Sequence, residues 1–174
     1  MTTYPYFAEA VGVIDMPAET LFDFLDDHAN LSSHMSESSW MMFGSTMDIY
    51  MDEHRTRAVG SKFGFTGRIV GIPLSVDELV VSREPPHSKS WETIGEPNLW
   101  VIGRYKMGFD LTPRPTGTAL RVFIEYLRPS TGLPRFMGLL FGGIYARWCT
   151  RQMVDDARKH FVAHALPGSA ATTP

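Results

Sequence analysis

The side chains of this 174-residue chain able to do acid–base or ligand-binding chemistry are few and scattered. The six histidines are His28, His34, His54, His87, His160 and His164. His160 and His164 stand at i, i+4 spacing and could place two imidazoles on one metal. No third ligand accompanies them, so a solvated helix end is the better reading and no metal is expected. His34, beside Ser32, Ser33 and Ser36, carries an imidazole able to exchange a proton near neutral pH, although a plain exposed polar residue fits the same surroundings. Tyr105 and Tyr126 each offer an apolar ring with one polar handle, suited to orienting a ligand or donating a proton, or to bonding a backbone carbonyl in the core. Trp91 and Glu92 must face opposite sides of any strand, and Trp91 is the better wall residue because an unpaired buried carboxylate is costly. Arg128 could meet an anionic head group, but a solvated arginine at a strand end is the preferred reading. The chain has no glycine-rich phosphate loop, G-x-S-x-G elbow or H-E-x-x-H zinc helix, so no cofactor is expected.

The elements that would position these residues follow from periodicity. A first strand is expected over Phe7 to Asp15, then a helix starting at Met16-Pro17 with Leu21, Phe22, Phe24 and Leu25 as its apolar face. Asp26 and Asp27 oppose the dipole at its C-terminal end, which a second short helix, capped by Asp27 or Asn30 and carrying Leu31, His34 and Met35, would resolve. Residues 45 to 128 read as strands divided by glycine- and proline-rich turns. Over residues 99 to 111, Leu99, Val101, Gly103, Tyr105, Met107, Phe109 and Leu111 share one face, with Arg104, Lys106 and Asp110 on the other. Leu120, Val122, Ile124 and Tyr126 repeat the inward pattern, with Arg121 and Glu125 outward, as in an antiparallel sheet covered on one face. Residues 134 to 165 form a long helix with Met153, Ala157 and Phe161 on one stripe. Its first half is apolar nearly all round, and Phe136, Leu140 and Ile144 are expected to roof a cavity. Gly142 and Gly143 within it permit a close backbone approach or mark a kink.

Composition narrows the functional classes. A net charge of −3 and the lack of a basic run give no general pull toward nucleic acid. Cys149 is the single cysteine, which excludes an internal disulfide and fits a reducing cytoplasm. No signal peptide is expected, and the longest uncharged apolar run is far short of the roughly 20 residues of a membrane span. Ten methionines suit walls that adapt to variable ligands, or ordinary gap-filling. One domain over residues 1–166 with a disordered tail over 167–174 is expected.

Four segments, in order, carry a resemblance. They are VIDMPAETLFDFLDD, the Glu-Pro-Pro of VVSREPPHSKSWE, FDLTPRPTGTALRVFIEY, and the final helix. Together they resemble the START-related, Bet v 1-like (SRPBCC) superfamily, especially its polyketide cyclase/dehydrase-like members. The resemblance implies an α+β helix-grip fold, with two short helices after the first strand and a curved antiparallel sheet wrapped around the long C-terminal helix and a hydrophobic cavity. It also places the second short helix, with His34, at the cavity mouth. Many members have a tryptophan near the end of that helix, where this chain has His34-Met35. The expected function is binding of a small apolar or amphipathic ligand, lipid-, steroid- or polyketide-like, by Trp91, Tyr105, Met107, Phe109, Tyr126, Phe136 and Leu140. A cyclase/dehydrase-like enzyme using His34, Tyr105 or Tyr126 for proton transfer is the alternative. A protein-interaction module, a homodimer through exposed apolar strand ends, is the third.

Overall fold

Period-2 patterning in the middle of the chain becomes a single sheet. The structure is a computed structural model that describes residues 3–27, 30, 46–69 and 71–165. Among these residues the strands are β1 (Tyr6–Ile14), β2 (Thr46–Met51), β3 (Lys62–Ile69), β4 (Ile72–Glu84), β5 (Ser88–Asn98), β6 (Tyr105–Pro113) and β7 (Thr118–Tyr126). They pair antiparallel in the order β1-β7-β6-β5-β4-β3-β2. Helix α1 (Ala18–Asp26) follows β1, and helix α2 (Gly132–Ala165) follows β7. The second short helix, His34 and the tail lie outside the described residues.

The alternation on β6 and β7 sets the core. Tyr105, Met107, Phe109 and Leu111 are buried, as are Leu120, Val122, Ile124 and Tyr126. The strand starts at Tyr105 rather than at residue 99. Gly103 leaves the ladder and donates its N–H to the Leu127 carbonyl at 2.8 Å, so Ile102 rather than Val101 is the buried neighbour. Pro17 occupies the N-cap of α1, one residue before the first helical position. The buried face of α1 is Leu21, Phe22 and Leu25, and Phe22 meets Phe109 of β6 edge to face at 5.7 Å.

Asp26, at the unfavourable end of α1, is answered across the fold rather than locally. Lys89 Nζ on β5 donates to Asp26 Oδ1 at 2.9 Å and to its backbone carbonyl at 2.7 Å. Arg83 on β4 donates through Nη2 to Oδ2 at 2.7 Å and through Nε to Oδ1 at 3.1 Å. Lys89 also reaches Thr56 Oγ1 at 3.1 Å, tying in the loop between β2 and β3. Burial pushes the Asp26 carboxyl up, but the hydrogen bonds and charges of Arg83 and Lys89 outweigh it and hold the group below the ordinary carboxylate range.

Helix α2 packs most closely on β1 and β7. Its second half buries Ala146, Cys149, Met153, Val154 and Ala157. Gly12 of β1 lets the helix this close, since a Cβ there would lie 2.5 Å from Val154 Cγ1. In the first half the contact seam is Gly138 and Gly142, where a Cβ would lie 3.1 and 2.8 Å from the Val101 carbonyl oxygen. Of the two readings of Gly142 and Gly143, close approach applies at Gly142, whereas a Cβ at Gly143 would meet nothing nearer than 3.5 Å.

Candidate functional site

A carboxyl group on the inner face of the sheet forms the centre of the site. In β4 the buried side chains are Val76, Glu78 and Val80, so the strand's period carries Glu78 into the core between two valines. Glu78 is 3% exposed. Tyr105 of β6 donates its phenol to Glu78 Oε1 at 2.7 Å, and the Trp91 indole of β5 also hydrogen-bonds the carboxyl. Strand register explains the meeting. Glu78 pairs with Thr93, and Val80 with Trp91, so Trp91 is the diagonal neighbour of Glu78 on the same face. Tyr105 pairs with Tyr126, which pairs with Tyr6, extending the row to β1.

Tyr105 is pinned where regular pairing stops. The β5–β6 ladder ends at Glu92–Lys106. Beyond it, Thr93 Oγ1 accepts the Tyr105 N–H at 3.2 Å, replacing a backbone partner. Tyr145 and Cys149 of α2 close the cluster from the helix side.

The electrostatics are those of an acid with no cation beside it among the described residues. Burial pushes Glu78 up to about 7, only partly opposed by the hydrogen bonds from Tyr105 and Trp91. Burial raises Tyr105 well above its ordinary range, and the neighbouring Glu78 adds to that. The Cys149 thiol is pushed up to about 12, mainly by burial, so it is a neutral thiol at physiological pH. Glu78 alone in this group changes charge near neutral pH. It can donate a hydrogen bond when protonated and accept a proton when ionised.

The residues expected from sequence are distributed unevenly around this centre. Trp91 and Tyr105 touch Glu78, and Met107 pairs with Trp91 on the same face. Phe109 is sealed beneath Phe22 of α1. Tyr126 is buried beside Tyr6, with ring centroids 5.5 Å apart, near the α2 glycine seam. The cavity roof expected on α2 is corrected. Phe136, Leu140 and Ile144 are 57, 49 and 60% exposed, because the glycine face turns toward the sheet and rotates them outward. Arg128 lies over the Tyr6 ring at 3.9 Å. His160 stacks on Phe24 at 4.1 Å. The described residues contain no cluster of three His, Cys, Asp or Glu able to hold a metal, and no helix long and apolar enough to cross a membrane. A separate open cleft of ≈ 440 Å³ lies at the other end of the sheet, lined by Asp15, Glu19, Pro86, His87 and Arg114. Glu78 lies six residue steps, about 20 Å of strand, from Glu84, the last residue of β4 before the cleft's Pro86 and His87.

Glu78 is absent from the residues that the sequence singled out, although its signal is present there. Val76, Glu78 and Val80 alternate with Asp77 and Leu79, so the period alone places a carboxyl on a valine face.

The strand order, the short helix after β1 and the long helix over β1 and β7 decide the architecture. The chain has the helix-grip fold. A protein from Thermus thermophilus superimposes on this helix-grip chain with a TM-score of 0.64 at 14% identity, over 92% of this chain and 99% of that one. Ginseng major latex-like protein 151 from Panax ginseng does so with a TM-score of 0.57 at 10% identity, over 93% and 98%. The di-domain ARO/CYC StfQ from the steffimycin biosynthetic pathway matches with a TM-score of 0.61 at 12% identity, over 91% of this chain and 52% of that one. No protein-family model and no curated protein sequence matches. The Bet v 1-like resemblance read from the four segments therefore holds as a likeness of fold.

Proposed function

We propose that this helix-grip chain binds a small apolar or amphipathic molecule between α2 and the middle strands, with Glu78 and Tyr105 as the polar end of the site. The carrying observation is the Glu78–Tyr105 bond at 2.7 Å, an ionisable group flanked on the inner face by Val76, Val80 and Trp91. Two features support it. The closest backbone approach of the helix is to β1 and β7 rather than to the middle strands, and Tyr145 beside the acid keeps part of its surface accessible. Trp91 and Met107 supply apolar wall beside the acid, and burial of apolar ligand surface at about 25 cal/mol per Å² supplies the affinity. Protonated Glu78 suits an uncharged ligand carrying a carbonyl or hydroxyl oxygen. Titration of a fluorescent steroid-like ketone tests this. Binding should be nearly independent of salt, and stronger below neutral pH than above it. Absence of binding, or affinity that collapses with salt alone, sinks the reading.

A second reading is favoured by the same acid. A carboxyl that titrates near 7 and shares a bond with a phenol is matched to proton transfer at neutral pH. Under this reading Glu78 and Tyr105, rather than His34 or Tyr126, exchange the proton. A model cyclic ketone incubated with the protein in heavy water should then exchange its α-hydrogens. Exchange equal in the Glu78→Gln variant rules the chemistry out and leaves a binder.

A further inference from the structure

The first half of α2 carries an apolar surface that the interior does not use. Leu133, Phe136, Leu139, Leu140, Phe141 and Ile144 are between 44 and 60% exposed. Leu133, Phe136, Leu140 and Ile144 recur at helical spacing along one stripe, about 16 Å long from first to last. The same stripe continues into exposed Arg147 and Arg151. From residue 126 to residue 154 the chain has four arginines, Arg128, Arg135, Arg147 and Arg151, and no lysine or acid, a net +4 in a chain whose total is −3. None of the four has a carboxylate partner among the described residues.

We infer that this face of α2 docks on a membrane surface rich in anionic phospholipid. Exposed apolar side chains flanked by arginines suit a helix lying in the interface plane, with its rings and leucines among the acyl chains and its guanidinium groups at the phosphates. Charge argues against a second copy as the occupant. Two-fold pairing of this face would bring together two copies of a stretch that carries four arginines and no acid. The inference is independent of Glu78.

Full-length protein sedimented with phosphatidylcholine vesicles, and with mixed phosphatidylcholine–phosphatidylglycerol vesicles, tests it. Binding is expected to the mixed vesicles, weakened by salt, and not to phosphatidylcholine alone. Replacing Arg147 and Arg151 together by alanine should weaken it roughly twenty-five-fold, at about five-fold per arginine. Phe136→Asp with Leu140→Asp should abolish it, while the urea midpoint stays at the wild-type value because both positions are exposed. Equal binding to the two vesicle types, no binding to either, or wild-type binding by the double aspartate variant overturns the assignment. So does a dimer in light scattering that the aspartates disperse, which would give the face to a second copy.

Discussion

Asp26 at the end of α1 and Glu78 in the middle of β4 expose the same small fraction of surface, 3%, yet their chemistry diverges. Asp26 meets an ammonium and a guanidinium and is held below the ordinary carboxylate range. Glu78 meets a phenol and an indole and rises to about 7. Desolvation raises both, more strongly at Glu78, which lies deeper, and at Asp26 the positive charge at bonding distance overcomes it. The Asp26 knot joins α1, β4, β5 and the loop at Thr56, so its ionisation is committed to structure. Glu78 remains free to change protonation state, which is the property expected of a group that works on a ligand.

The largest effect should come from breaking the paired acid. Asp26→Ala leaves Lys89 buried without its partner and should cost about 3–5 kcal/mol in a urea unfolding titration. The companion double variant Asp26→Asn, Lys89→Met removes both buried charges and should recover much of that loss. If the single variant costs nothing, Asp26 is not the anchor.

The unpaired acid should behave in the opposite way. Its folded-state pKa is raised, so folding takes up a proton. The stabilisation from protonated Glu78 is complete below the ordinary 4.5 and is lost as pH rises through about 7. Glu78→Gln should flatten that slope, and well above neutral pH it should be more stable than wild type by up to about 3 kcal/mol. A variant less stable than wild type under those conditions contradicts an uncompensated acid. Asp26 has the opposite sign, because its contribution is present above the ordinary 3.8 and is lost as pH falls through its lower folded value.

The smallest effect should come from one donor. Tyr105→Phe removes the phenol from Glu78 and should cost about 1.5 kcal/mol where the acid is ionised, and less where it is protonated. The Glu78 titration followed by carboxyl-carbon NMR should move further up, since a bond that lowers it is gone. An unmoved titration would mean that the Tyr105 bond does not set the acid's chemistry.

Local periodicity alone determined a large part of this protein. The inward faces of β6 from Tyr105 and of β7, the start of α1 beside Pro17 and the buried Met153 and Ala157 stripe are all readable because strand and helix geometry fix which residues share a face. The order of these segments also carried the helix-grip reading. The period of residues 72–84 would have put Glu78 inward as well, but nothing local says whether such a carboxyl finds a cation. Its partners come from β5 and β6, whereas Asp26 finds Lys89 across 63 residues. Only sheet register could assign charge to one and a phenol to the other. The first half of α2 failed differently. Its sequence is apolar nearly all round, so no period selects a face. The Gly138–Gly142 seam decides it, because a Cβ at Gly142 would crowd the Val101 carbonyl and one at Gly138 would crowd Pro129, so this face lies against the backbone and Phe136 and Leu140 turn outward.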